Sequence, residues 1–145
     1  MTTNHPNIQT VLVEDEQLMR QALPYMLQEF PDIQIVATAD NGKKGIELIV
    51  QTNPDVAIID LGLPDINCIE VIQSALLHKI KTRFLILTSQ NNWSTAIASF
   101  QQGATSCHLK QQSGDPKIIA NAIRATAKGN QWIDPKMLSL KNCQP

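Results

Sequence analysis

A chain of 145 residues with 43% apolar side chains has one domain's worth of sequence and enough apolar mass for a core. Its 12 Lys and Arg against 13 Asp and Glu give a net charge of -1, without the clustered basic face that bulk electrostatic binding to nucleic acid requires. No apolar run approaches the ~20 residues of a membrane span, MTTNHPN lacks a signal-peptide layout, and the cysteines Cys68, Cys107 and Cys143 form no C-x-x-C pair, so no disulfide framework or zinc site is expected and a reducing cytoplasm fits best.

Short β-rich runs alternate with helically spaced segments. The first strand is expected at Ile8–Val13. In the helix after it, Leu18, Ala22, Tyr25 and Met26 stand at i, i+4, i+7 and i+8 and read as the buried stripe, with Pro24 imposing a kink or a late start. A second strand follows at Ile33–Ala37, then the Asn41-Gly42 turn and a second helix at Lys43–Gln51, ended by Asn53-Pro54. The third strand, Val56–Ile59, is apolar throughout and ends on Asp60. A third helix over about Ile69–Leu77, a strand at Arg83–Leu87 and a fourth helix over about Trp93–Gln102 come next, with Gly103 as the stop. The fifth strand is Thr105–Leu109, and Asp115-Pro116 caps a fifth helix reaching about Lys128, with Ile119, Ala122, Ile123 and Thr126 inside.

Five strands alternating with five helices define an α/β fold with a parallel sheet, and right-handed crossovers place helices on both faces. Residues 1–128 form the domain. Residues 129–145, with two prolines and no long periodic pattern, read as a tail or the start of a linker.

In an open parallel sheet, ligands bind outside the carboxyl ends of the strands. After the first strand come Glu14, Asp15 and Glu16; after the third, Asp60; after the fourth, Thr88 and Ser89; after the fifth, Lys110. If these strands are neighbours, their ends share one pocket. Glu14, Asp15 and Asp60 then supply hard oxygen ligands suited to Mg²⁺, and clustered carboxylates repel unless a cation joins them. An ionised Asp60 is a carboxylate nucleophile of the kind that forms an aspartyl-phosphate. Lys110 supplies positive charge to a phosphoryl group, and Thr88 a hydrogen bond.

The stretches VLVEDE, DVAIIDLGLPDIN, FLILTS and GATSCHLK, in this order with one βα unit between successive strands, resemble a bacterial response-regulator receiver domain over roughly residues 8–128. The resemblance implies a flavodoxin-like, doubly wound sheet of strand order 2-1-3-4-5. It implies Asp60 as phosphoacceptor, Glu14 and Asp15 as the acidic pair, the Gly62 backbone carbonyl as a further metal ligand, Thr88 as switch hydroxyl and Lys110 as the phosphoryl-contacting lysine. It also implies a phosphohistidine on a sensor histidine kinase, or a small phosphodonor, as donor. The end of the chain, LKQQSGDPKIIANAIRATAKGNQWIDPKM, is similar to the receiver end of LuxR-type transcription factors, whose helix-turn-helix domain has no counterpart in these residues. Contact with DNA is therefore expected only through a domain absent from this chain. A homodimer, or an output domain, is expected on the surface of the fourth helix, fifth strand and fifth helix.

Three positions depart from the family pattern. Cys68 stands where a glycine is usual, Cys107 where an aromatic ring is usual, and Gln111 where proline often follows the lysine. Gln90 and Gly62 occupy the two places that tune dephosphorylation. A cysteine cannot report the switch by ring rotation. Cys68 and Cys107 read as small packing residues, His5, His78 and His108 as side chains without a ligand role, and Lys79, Lys81 and Arg83 as a solvated loop. Trp93, Ile97 and Phe100 share helical spacing and read as partly core.

Competing functions are set aside on particular residues. An aspartyl-phosphate hydrolase carries a second acid in D-x-D, and Gly62 stands there, so a signalling domain rather than a turnover enzyme is expected. A flavin or nucleotide carrier needs a phosphate loop after the first strand, where acids stand instead. A stand-alone or phosphorylation-independent receiver, working as an interaction module, remains the alternative.

Overall fold

A computed structural model describes residues 7–89, 93–110 and 114–134, with only the backbone of Trp93. Expectations for His5, Gln90, the Trp93 side chain, Gln111, Cys143 and residues 135–145 lie outside the described residues.

The elements run β1 (Ile8–Val13), α1 (Gln17–Leu27), β2 (Ile33–Ala39), α2 (Gly42–Thr52), β3 (Val56–Asp60), α3 (Cys68–Leu76), β4 (Arg83–Thr88), α4 (Trp93–Gln101), β5 (Ser106–Leu109) and α5 (Pro116–Ala127). The sheet is parallel, in the order β2-β1-β3-β4-β5 that the motifs implied. β3 is buried along its whole length, as a central strand covered on both faces must be. Its neighbours divide their side chains by strand alternation. Val13, Ile59, Ile86 and Cys107 pack with Ile49 of α2 and Val71 and Ile72 of α3. Leu12, Ile58, Leu85 and Leu87 pack on the other face with Leu23 and Leu27 of α1 and Ile119 and Ile123 of α5. β1 lies between β2 and β3, so the chain reverses its direction of travel across the sheet there, and the crevice opens at the carboxyl ends.

Local signals set the helix starts. The side chains of Asn41, Asn67 and Asp115 accept the N–H groups of Lys44, Glu70 and Lys117, and Pro116 opens α5. After α4, Gly103 takes φ 119°, a backbone region open to glycine.

One expectation is corrected. α1 starts at Gln17 and continues past Pro24. Leu18 and Tyr25, read as its inner stripe, are each 74% exposed. The buried face carries Leu23 and Leu27, with Met19, Met26 and Phe30 packed alongside. Two apolar stripes fit the 3.6-residue period in this segment, and the more aliphatic one faces the core. On α4, Phe100 packs against the core while Ile97 stands 36% exposed.

Beyond α5 the chain returns to the sheet. Cys107 N–H donates to the Trp132 carbonyl at 2.8 Å and Asp134 N–H to the Cys107 carbonyl at 3.1 Å, so Ile133 makes a parallel bridge to β5. Ser106 Oγ accepts Trp132 N–H at 3.0 Å and the Thr126 hydroxyl at 2.8 Å, joining this segment to α5.

Candidate functional site

Strand register builds the site. Val13 pairs with Ile59, so Glu14 and Asp60 emerge next to each other. Asp60 pairs with Leu87, which pairs with His108; Thr88 and Leu109 form the next pair, and Lys110 follows. Asp60 and Thr88 are therefore the last residues of their strands, held by the sheet itself.

The side chains meet as follows. Lys110 Nζ is 3.0 Å from Asp60 Oδ1 and 3.1 Å from Glu14 Oε1. Gly62 N–H donates to Asp60 Oδ1 at 3.0 Å, and Glu16 N–H to Glu14 Oε2 at 3.1 Å. Glu14 and Asp60 are buried, and Asp15 is exposed. One carboxylate oxygen from each of Glu14, Asp15 and Asp60 lies within 4.8 Å of the others. Thr88 is buried at the same edge, and its hydroxyl donates to the Ser89 carbonyl at 3.2 Å. Arg20 Nη1 donates to the carbonyls of Glu14 at 2.9 Å and Asp15 at 3.1 Å, which holds the acidic turn in place.

Three acids and one lysine at a partly buried corner shift one another's titration. Burial, and then a hydrogen bond shared with Asp60, push Glu14 up to about 8. Asp15 is raised, first by its hydrogen bond with Asp60. For Asp60, burial acts upward, but hydrogen bonds with Glu14, Asp15, the Gly62 N–H and Lys110 outweigh it and hold the group below the ordinary carboxylate value. Burial acts downward on Lys110, and its bonds with Asp60 and Glu14 outweigh that and raise it. Of the three acids, Asp60 alone is held below its ordinary value, which favours the charged form a nucleophile needs.

The donor set fits a hard divalent cation. Three carboxylates converge on one point, and Glu14 Oε1, although 3.1 Å from Lys110 Nζ, is buried without hydrogen-bond geometry to any partner among the described residues.

Sequence reasoning missed two groups near this edge. Asp65 accepts the first N–H groups of α2, and buried His108 faces Asp134. Cys68 and Cys107 are buried thiols in the core, as their reading as packing residues expected.

A doubly wound parallel sheet with an acid-and-lysine pocket at its carboxyl edge marks a class of phosphate-handling α/β domains. Residues 10–124 match the response regulator receiver domain. The chain belongs to that family: it is a receiver domain of the two-component response regulators. It is 28% identical over 134 residues to the transcriptional regulatory protein DegU of Brevibacillus brevis, covering 92% of this chain and 56% of DegU. The receiver domain of NarL from Mycobacterium tuberculosis superposes with a TM-score of 0.79 at 27% identity, covering 86% of this chain and 98% of that one. A LuxR-family two-component response regulator from Aurantimonas shares the fold with a TM-score of 0.84 at 24% identity, covering 95% of this chain and 99% of that one. The chain spans a little over half the length of DegU. Among the described residues no helix is long and apolar enough to cross a membrane.

Proposed function

We propose that Asp60 accepts a phosphoryl group from a phosphohistidine of a sensor histidine kinase in the cytoplasm. The observation that carries this reading is the buried Asp60 carboxylate at a strand end, 3.0 Å from Lys110 and grouped with Glu14 and Asp15. An Asp60 carboxylate oxygen attacks phosphorus, the P–N bond breaks, and the departing imidazole takes up a proton. Glu14, Asp15, Asp60 and the Gly62 backbone carbonyl would hold Mg²⁺, which supplies positive charge against the phosphoryl oxygens. Lys110 adds a second positive group 3.0 Å from Asp60, and Gly62 N–H keeps the carboxylate oriented. The phosphoryl group adds roughly -1.5 to -2 charge and recruits the Thr88 hydroxyl away from the Ser89 carbonyl. That movement shifts the loop after β4 and biases the face of α4, β5 and α5, where a second copy or an output domain docks.

In this reading residues 1–128 are the receiver, and residues 129–145 begin a linker whose first residues rest on β5. The output of the whole protein is transcriptional, through DNA contacts made outside this chain. The similarity to DegU, a transcriptional regulatory protein, supports this. The domain itself is a switch without turnover; Gly62 occupies the place of a hydrolase's second acid.

Acetyl phosphate with Mg²⁺ should label the chain at one acid-stable, base-labile position, and Asp60→Asn should abolish the label while circular dichroism stays unchanged. Persistent labelling of that variant would refute the assignment.

A further inference from the structure

The loop between β3 and α3, residues 61–67, carries Gly62 past the acidic cluster. Its near end is fixed by Leu61 N–H donating to the Leu87 carbonyl at 2.9 Å and by Gly62 N–H donating to Asp60. Its far end is clamped to a different element. Asp65 Oδ1 accepts Gly42 N–H at 2.7 Å, and Oδ2 accepts Lys43 N–H at 2.9 Å. These are the first two amides of α2, which have no partner within a helix. The helix's own cap, Asn41, serves Lys44 and leaves them to Asp65. Slight burial acts upward on the Asp65 carboxyl, but the Lys43 and Gly42 amides outweigh it and hold the group below the ordinary range. Ile66 adds an apolar contact beside this pair. A Cβ on Gly42 would lie 2.4 Å from Ile66 Cγ1, so the absence of a side chain there is what lets Ile66 seat.

We propose that Asp65 is a positioning residue for the site. By pinning the loop to the N-terminus of α2, it sets where the Gly62 carbonyl lies relative to Glu14, Asp15 and Asp60, and so sets the affinity for Mg²⁺. This rests on the reading above, in which Gly62 supplies a metal ligand.

The test uses the 145-residue chain and Mg²⁺ alone, by calorimetry, before any phosphodonor is added. Asp65→Ala is expected to weaken Mg²⁺ binding about fivefold, the scale of a lost helix cap. The Mg²⁺ concentration for half-maximal labelling by acetyl phosphate rises by the same factor, while labelling at saturating Mg²⁺ is unchanged. Asp65→Asn, which keeps one oxygen acceptor, falls between Ala and wild type. Gly42→Ala keeps the Asp65 side chain but displaces Ile66, and with it the clamped end of the loop, and reproduces the loss, so it decides the matter if Asp65→Ala does not fold. An Mg²⁺ affinity unchanged in these variants overturns the proposal, whatever happens to the melting temperature. A wild-type chain that binds Mg²⁺ but takes no label overturns the phosphoacceptor reading instead, and the calorimetric comparison still decides the role of Asp65.

Discussion

His108 Nδ1 lies 3.3 Å from Asp134 Oδ2, and both side chains are buried. Among the described residues, neither imidazole nitrogen has a partner in hydrogen-bond geometry. Asp134 reaches this position because the segment after α5 pairs with Cys107. Burial holds His108 below the usual imidazole value, and the Asp134 carboxylate acts upward against it without overcoming it. An unfolded histidine takes its proton near pH ~6.5, so on acidification the unfolded chain binds it first. The stabilisation is complete above that pH and is lost as the pH falls from there toward the lower folded value. His108→Gln should remove this dependence. In urea unfolding with EDTA, wild type should lose stability relative to the variant as pH falls from about 7 to 5, with a slope of at most ~1.4 kcal/mol per pH unit. Parallel curves would show that the imidazole gains its proton as easily folded as unfolded.

Lys110 bridges two buried carboxylates that would otherwise face each other. Replacing it with Met leaves the Asp60 carboxylate buried beside Glu14 without its cation, which should cost roughly 2 kcal/mol in EDTA; the lysine is partly exposed, so the loss is smaller than for a fully enclosed pair. Adding Asp60→Asn to Lys110→Met removes that charge and should restore most of the loss. The double-mutant cycle measures this directly. Strict additivity would mean that the three groups do not act as a unit.

The parts of this molecule that could be read from sequence were those with a local signature. Val56–Ile59 is a continuous apolar run closed by an acid, and a buried central strand has few other ways to look. Glu14, Asp60, Thr88 and Lys110 were legible because a parallel sheet presents its strand ends at one edge, so position alone selected them. The inner face of α1 was not legible: Leu18, Ala22 and Tyr25 satisfy helical spacing as well as Met19, Leu23 and Met26 do, and only packing against β2 and α5 decides. Asp65 gave no sign because its partners are amides of α2, more than twenty residues away. The strand-like return at Trp132–Asp134 is too short to carry a period, and His108 has meaning only once Asp134 arrives beside it.

The two described cysteines should be chemically silent while the chain is folded. Burial pushes the Cys68 thiol up to about 11, with the Asp60 charge adding to it, and burial pushes Cys107 up to about 12. The thiolate is the reactive form, and both side chains are fully buried. Brief iodoacetamide treatment at pH 8 should leave the peptides carrying Cys68 and Cys107 unmodified by mass spectrometry, and the same treatment in urea should modify both. Rapid modification of Cys107 in the folded chain would mean that β5 opens readily.

Arg124 provides a contrast, because it matters for the fold while standing far from the acidic cluster. It donates from Nε to Asp32 Oδ2 at 2.7 Å and from Nη2 to Asp32 Oδ1 at 2.9 Å, and its guanidinium stacks 5.3 Å from the centre of the Phe30 ring. α5 is thereby tied to the turn that enters β2. A lysine keeps the charge but has neither the fork nor the flat face. The pair is partly solvated, which limits its contribution, so Arg124→Lys should lower stability by roughly 0.5–1 kcal/mol, with Arg124→Ala at or slightly beyond the upper end. Neither substitution should alter the rate of acetyl phosphate labelling, since nothing in this contact reaches Asp60. Urea unfolding and labelling on the same preparations check both halves. A variant that keeps full stability would show that the fork is solvated as readily as it is paired, and a change in labelling rate would reveal a connection from α5 to the phosphoacceptor that these contacts do not make.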